Sequence, residues 1–327
     1  MEIYKKIGKI FQIAMIKKYT EIEKKTKKIY IDQHKNYFTD DTIFQRHLYH
    51  AVDPKSYDLT PDFFVGKHVL DAGCGNSGYF QVAMHRLGVS KVTCLDIGTD
   101  WQQELKKIIT KHNVPDDFIE CIEGTTISLP FPDESFDFVA SNGVLMHLQN
   151  IEMAKSALTE LSRVARKGGV VYSHIGIDKP GIVDRYIVKS MREAYQEDTE
   201  FRDFIDSLKP EVIIAELNDI YSSALRHDDT LNPKAISLVL SKLLTLDSAT
   251  FFQNALQVPV QQGPRLSEEW GFSTMAEVGL TNIRRVKESY WKRNDFRKYL
   301  APIHYRLDSP IAKLFYGNGH VKLTADK

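Results

Sequence analysis

The chain has 327 residues, with 43 basic side chains balanced against 43 acidic ones and 43% hydrophobic residues. That length holds one large domain or two modest ones, and the even charge gives no reason to expect a bulk nucleic-acid or acidic-polymer partner. Its cysteines, Cys74, Cys94 and Cys121, form no CxxC pair and no metal-ligand spacing, which argues against a disulfide framework and for a reducing compartment. No apolar run approaches the roughly 20 residues that span a bilayer. The N-terminus lacks the apolar core and small-residue cleavage site of a signal peptide. A cytoplasmic location is the resulting expectation.

Residues 1–30 read as a basic amphipathic helix, with Ile3, Ile7, Ile10 and Ala14 on one face and lysines elsewhere. Interspersed Glu21 and Glu23 favour a helix packed on the protein body over one attached to a membrane. Residues 30–63 are rich in aromatics and histidines, a composition suited either to core packing or to covering a ligand. Tyr37, Arg46, Tyr49 and His50 are the candidates there for substrate contact. The His47-x-x-His50 pair lacks a third ligand nearby, so no metal site is expected.

The chain is organised around residues 69–80, Val-Leu-Asp-Ala-Gly-Cys-Gly-Asn-Ser-Gly-Tyr-Phe. A short apolar strand ends in Asp71, and Gly73, Gly75 and Gly78 follow in G-x-G-x-x-G spacing before a helix. Glycines there permit backbone angles other residues avoid and let a ligand approach the main chain. The helix spans 79–87, with Phe80, Val82, Ala83 and Leu87 apolar and Gly88 as its C-terminal cap. A second strand, Lys91–Leu95, ends at Asp96, an acid about 20 residues after the turn and so placed to accept hydrogen bonds from ribose hydroxyls. Thr99 and Asp100 are expected to cap the next helix, 101–112, which leaves Asp96 for the ligand.

A third strand, 118–122, leads to Glu123-Gly124-Thr125-Thr126. A fourth, 136–141, ends in Ser141-Asn142-Gly143-Val144-Leu145-Met146-His147-Leu148. Asn150 caps a helix with Ile151, Ala154, Leu158, Leu161 and Val164 inward, stopped by Gly168 and Gly169; strand 170–175 follows. This alternation predicts a doubly wound, mostly parallel α/β sheet, which binds ligands at the carboxyl ends of its strands. Asp71, the glycine turn, Asp96, Thr125 and Asn142 all fall at such ends.

Taken together, Val69–Gly75, Leu129-Pro130-Phe131-Pro132 with Phe136-Asp137, and Asn142–Leu148 resemble the class I S-adenosylmethionine-dependent methyltransferases, most closely the broad small-molecule group. The resemblance covers roughly residues 60–176. It implies a seven-stranded Rossmann-like sheet with an antiparallel C-terminal edge, and S-adenosylmethionine as cofactor. It also implies that Asp71 lies near the methionine amino group, that Asp96 binds the ribose and that Ile97 packs on the adenine. Cys74, Thr126 and Gly143 complete the implied cofactor set. Thr125 stands where the family often has an acid for the adenine amino group, and Met146-His147 where relatives commonly carry two histidines. Both departures loosen inference about the acceptor.

Beyond residue 178 the alternation breaks into helical segments around 182–195, 201–207, 211–226 and 234–247, read as an insertion that forms either a lid or a dimerisation element. Residues 266–279 then resemble the next helix, with strands 281–286 and 320–325 closing the sheet around an insertion at 288–316. The basic aromatic stretch 284–298 also holds Glu288 and Asp295 and reads as a solvated edge. The expected organisation is a cover segment 1–60, a core 61–177, an insertion 178–264 and a completion 265–327. The expected reaction is in-line methyl transfer to a small molecule, with His147 as candidate base where the acceptor must lose a proton. No nucleic-acid partner is expected, because Ser-Asn-Gly-Val replaces the run that grips an exocyclic amine. A protein acceptor and a non-catalytic cofactor-binding subunit remain alternatives, and a homodimer is left open.

Overall fold

A computed structural model describes residues 41–177, 186, 189–207, 266–286 and 320–327. The helix expected over 1–30, Tyr37, the segments 211–226 and 234–247, and the insertion 288–316 lie outside the described residues. The chain divides into two compact units, Met1–Pro180 with Gln261–Lys327, and Gly181–Val260.

In chain order the described elements begin with helices α1 (Asp41–Ala51) and α2 (Pro61–Phe64), then β1 (His68–Ala72), α3 (Tyr79–Arg86), β2 (Lys91–Asp96) and α4 (Trp101–Lys111). Next come β3 (Ile119–Glu123), β4 (Phe136–Asn142), α5 (Ile151–Val164) and β5 (Ala165–Ile177). Two helices of the second unit follow, α6 (Lys189–Glu197) and α7 (Thr199–Ser207). The first unit closes with α8 (Glu268–Glu277), β6 (Thr281–Arg285) and β7 (His320–Asp326).

The strands form one sheet in the order β3-β2-β1-β4-β5-β7-β6. Strands β1 to β5 pair in parallel, and β7 runs antiparallel to both β5 and β6. The order reverses between β1 and β4, and the crevice at such a switch point is where open α/β sheets bind ligands. The mostly parallel sheet with an antiparallel edge agrees with the sequence reading.

Alternation along the strands builds two cores. Val69, Val92, Cys94, Phe138 and Tyr172 face one side, packed by Phe44, Leu48 and Phe64. Leu70, Leu95, Val139, Val171 and Leu323 face the other, under Ala154, Leu158 and Leu161 of α5. Each large apolar side chain withdrawn from water contributes about 1.5–3 kcal/mol, so both faces must stay covered.

Three local expectations are corrected. Ile151 is 41% exposed, and Met153 takes the inward position in the first turn of α5. That helix ends at Val164 instead of at the glycines, because Ala165 is already paired with Phe136. The extended β5 then carries Gly168 at φ +75 and exchanges backbone hydrogen bonds with Lys327. Finally, Asp100 precedes α4 with helical dihedrals and makes no side-chain cap; separately, the Trp101 indole donates to the Gly98 carbonyl at 2.7 Å.

In the second unit, Asp198 joins α6 to α7. Its carboxylate accepts from the Phe201 N–H at 3.0 Å, while Arg202 Nε donates to the Tyr195 carbonyl at 2.7 Å.

Candidate functional site

The turn after β1 has the conformation its glycines foreshadow. Gly73, Gly75 and Gly78 adopt φ of +88, +57 and +68. A Cβ on Gly73 would lie 2.2 Å from Val144 Cγ2, and one on Gly78 2.6 Å from Ile108 Cγ2, so these two let the turn pack against the loop after β4 and against α4. Gly75 differs: its Cβ would meet nothing within 4 Å. It is the place where the backbone lies open to a ligand.

Asp96, at the end of β2, holds that backbone. Its Oδ2 accepts from the Gly75 N–H at 2.7 Å and its Oδ1 from the Ile97 N–H at 2.7 Å. Asp96 is therefore not a helix cap. Its carboxylate is oriented by two main-chain donors and half-buried at the carboxyl end of β2. The Gly124 N–H donates to the Asp96 carbonyl at 3.0 Å, which brings the end of β3 alongside. Thr126 is buried there, and the Thr125 hydroxyl sits 3.5 Å from the Ile127 N–H while its backbone bridges Ser128.

Asp71 is almost fully buried beneath the turn, 4% exposed. Burial, opposed by a hydrogen bond from Gln81 and reinforced by the Asp96 charge, raises its pKa from 3.8 to about 7. Gln81 Nε2 donates to Asp71 Oδ2 at 2.7 Å and to Cys94 Sγ at 3.3 Å. Cys74, in the turn, is buried beside Cys94, and burial pushes its thiol far up. A thiol so held is a packing group, not a nucleophile.

Asn142, the last residue of β4, donates from Nδ2 to the Tyr79 hydroxyl at 2.9 Å, tying the fourth strand to the start of α3. Gly143 follows at φ +78, and a Cβ there would lie 3.9 Å from His174 Nδ1. His147 is half-buried in a 3-10 turn, Leu145–His147, and its N–H donates to the Val144 carbonyl at 2.9 Å.

Asp71, the glycine turn, Asp96, Asn142 and Gly143 thus converge at the carboxyl ends of β1, β2 and β4. Of the expected substrate residues, Tyr37 and the side chain of Arg46 lie outside the described residues. Tyr49 is 51% exposed on α1 and makes an edge contact with the His50 ring at 5.8 Å. The α1 residue packed near the site is His47, whose ring is tilted against that of Tyr79 with centroids 5.1 Å apart. Tyr79, Gln81 and His174 escaped the sequence reading. None of the three had a sequence signal that would have found it; His174, within β5, joins the site by pairing with Asn142.

A doubly wound sheet with a glycine turn and an acid at the end of its second strand defines a nucleotide-cofactor-binding fold. The family model described as a methyltransferase domain matches residues 70–173. This segment is a class I S-adenosylmethionine-dependent methyltransferase domain.

A tRNA (carboxymethyluridine(34)-5-O)-methyltransferase from Xenopus tropicalis is 34% identical over 120 residues, 37% of this chain and 17% of that protein. A demethylmenaquinone methyltransferase from Lysinibacillus sphaericus is 32% identical over 106 residues, 32% of this chain and 43% of that protein. The chain therefore spans less than half the length of these curated relatives. A solved S-adenosylmethionine-dependent methyltransferase from Thermotoga maritima is 14% identical, covering 91% of this chain and 98% of that one with a TM-score of 0.46.

The residues present fit the cofactor. Open backbone at Gly75, an oriented carboxylate at Asp96 and a buried acid at Asp71 suit a ligand with ribose hydroxyls at one end and an ammonium at the other.

Proposed function

We propose that the protein transfers a methyl group from S-adenosylmethionine to a small-molecule acceptor. When bound, this cofactor supplies an already activated methyl group, so the chain's own residues contribute binding, alignment and exclusion of water. Asp96 would accept from the ribose hydroxyls, Ile97 would pack on the adenine, and Thr125 and Thr126 would border the base. Asp71 would face the amino group of the methionine end. Asn142, Gly143, Cys74 and the glycine turn would complete the cofactor-binding set.

The observation that carries the reading is the pair of acids flanking one open turn: Asp71 beneath it and Asp96 bonded to Gly75 across it. Where the acceptor must lose a proton, His147 is the candidate base, and His174 stands at the neighbouring strand end. Even charge over the chain supports a small acceptor over a polyanion.

A nucleic-acid acceptor is the second reading, favoured by the relative that acts on tRNA. The expected organisation of cover, core, insertion and completion belongs to the proposal, with the insertion as lid or dimerisation element.

The test is calorimetric titration with S-adenosylmethionine, S-adenosylhomocysteine and NADH in parallel, then transfer of labelled methyl to carboxylate, phenol, amine and quinol panels, with bulk tRNA as a competing arm. Micromolar binding of the first two ligands and label on a small acceptor supports the proposal. Label on tRNA alone transfers it to the second reading, and binding of NADH alone overturns both.

A further inference from the structure

Gln81 lies in the first turn of α3, fully buried, in a helix whose other inward positions are apolar. Its Nε2 bridges Asp71 Oδ2 and Cys94 Sγ, residues that are direct neighbours on β1 and β2. Its Oε1 has no hydrogen-bond partner among the described residues. A buried amide with an unmatched oxygen is a poor choice for packing alone, since an apolar side chain of the same volume would carry no desolvation cost. What the amide does, in the orientation described, is donate to a carboxylate. Turned over, it would present its oxygen to Asp71, and an ionised carboxylate has no proton to match it. The arrangement thus favours one charge state of Asp71.

We propose that Gln81 is a positioning residue for cofactor binding: by donating to Asp71 it holds that carboxylate ionised and turned as a cationic amino group requires. This rests on the reading that Asp71 faces the methionine end of the cofactor. Among the described residues, the titratable groups facing Asp71 are Asp96 at the end of β2, the Cys94 thiol on β2, the Cys74 thiol in the turn and the Tyr57 hydroxyl below the sheet. None of these four favours the ionised carboxylate by its charge: a second acid opposes it, and a neutral thiol or phenol adds none. The Gln81 hydrogen bond lowers the proton affinity of Asp71 against burial, which makes it the group whose loss should move the titration.

The experiment measures affinity of the full chain for S-adenosylhomocysteine, which carries the same amino group, from pH 5.5 to 9 by calorimetry. In the wild type, affinity should rise with pH and level off above the Asp71 transition. Gln81→Met keeps the volume and removes the donor. Its transition should move upward by about one pH unit, so that binding is about fivefold weaker at pH 7 and about tenfold weaker well below it, yet close to wild type on the high-pH plateau. Gln81→Glu places a second acid beside Asp71 and should move the transition further up.

A purely structural Gln81 would lower affinity by the same factor at every pH, and that result overturns the proposal. Should Gln81→Met fail to fold, Gln81→Glu still decides. A pH profile for it that runs parallel to the wild type's, with no upward shift of the transition, overturns the role. Asp71→Asn separates the two readings. If it binds with wild-type affinity and an unchanged pH profile, the Asp71 assignment itself is wrong, whatever Gln81 does.

Discussion

Replacing Asp96 by asparagine separates the two tasks its carboxylate can perform. One is to clamp the glycine turn through the Gly75 and Ile97 N–H groups, each at 2.7 Å. The other is to receive the ribose hydroxyls. Asparagine keeps one oxygen, so one main-chain N–H would lose its acceptor and face an NH2 group instead. A hydrogen bond to a charged group contributes about 1.5–3 kcal/mol. Because Asp96 is only half-buried, water can replace part of the lost bond, which puts the stability loss near the lower end. Loss of one charge-assisted ribose bond of the same strength would weaken cofactor binding about 10- to 150-fold. Urea denaturation of the ligand-free variant and calorimetry with S-adenosylhomocysteine measure the two effects independently. A destabilised variant that binds with undiminished affinity would show Asp96 to be a clamp and nothing more. Unchanged stability and unchanged affinity together would refute the whole account of the site.

Gly73→Ala forces a side chain onto a backbone at φ +88 and puts its Cβ 2.2 Å from Val144 Cγ2. We expect a loss of about 1–3 kcal/mol together with weaker cofactor binding, both read by thermal denaturation with and without ligand; a variant as stable as wild type would contradict the packing described. Ser141→Ala removes a fully buried hydroxyl with no partner among the described residues, directly opposite Ser173 in the same state. It should be neutral or stabilising by up to about 1 kcal/mol, and a clear drop in the urea midpoint would reveal a bound water satisfying the pair. Asp71 gives a pH prediction. Its folded pKa of about 7 exceeds the ordinary 3.8, so the native state binds the proton more tightly than the unfolded chain. The stabilisation is complete below pH 4, falls as pH rises to 7 and is gone above, a loss of about 4 kcal/mol. Asp71→Asn should abolish that part of the slope in ligand-free urea titrations at pH 5 and pH 8; identical slopes would show that Asp71 is ionised throughout.

The sheet was legible because its signals are local and redundant. Five apolar runs, each ending in a polar residue or a glycine and separated by helical spacing, leave little choice of topology. The cofactor end was legible for the same reason: Asp71, the glycines and Asp96 must sit at strand ends, where period-two burial stops. At the end of α5 a tertiary partner overrides a local rule: Ala165 pairs with Phe136 before the Gly168-Gly169 signal is reached. At Asp100 the reason is local, since its helical dihedrals differ from the extended backbone of a capping residue.

Gln81 illustrates the harder limit. In sequence it is a polar residue in the first turn of a helix, where solvent exposure is the ordinary expectation. Its burial follows from Gly78: a positive-φ residue with no side chain lets Ile108 close on the turn, and the first turn of α3 then comes down over β1 and β2. Only with Asp71 and Cys94 brought side by side by the parallel register does an amide there acquire a partner. The same register explains why His174 outranks its sequence surroundings: pairing with Asn142 puts it beside Gly143, in reach of the same strand ends as His147. A residue whose role depends on a neighbour in another element has no sequence pattern of its own, and it becomes readable only once the register is known.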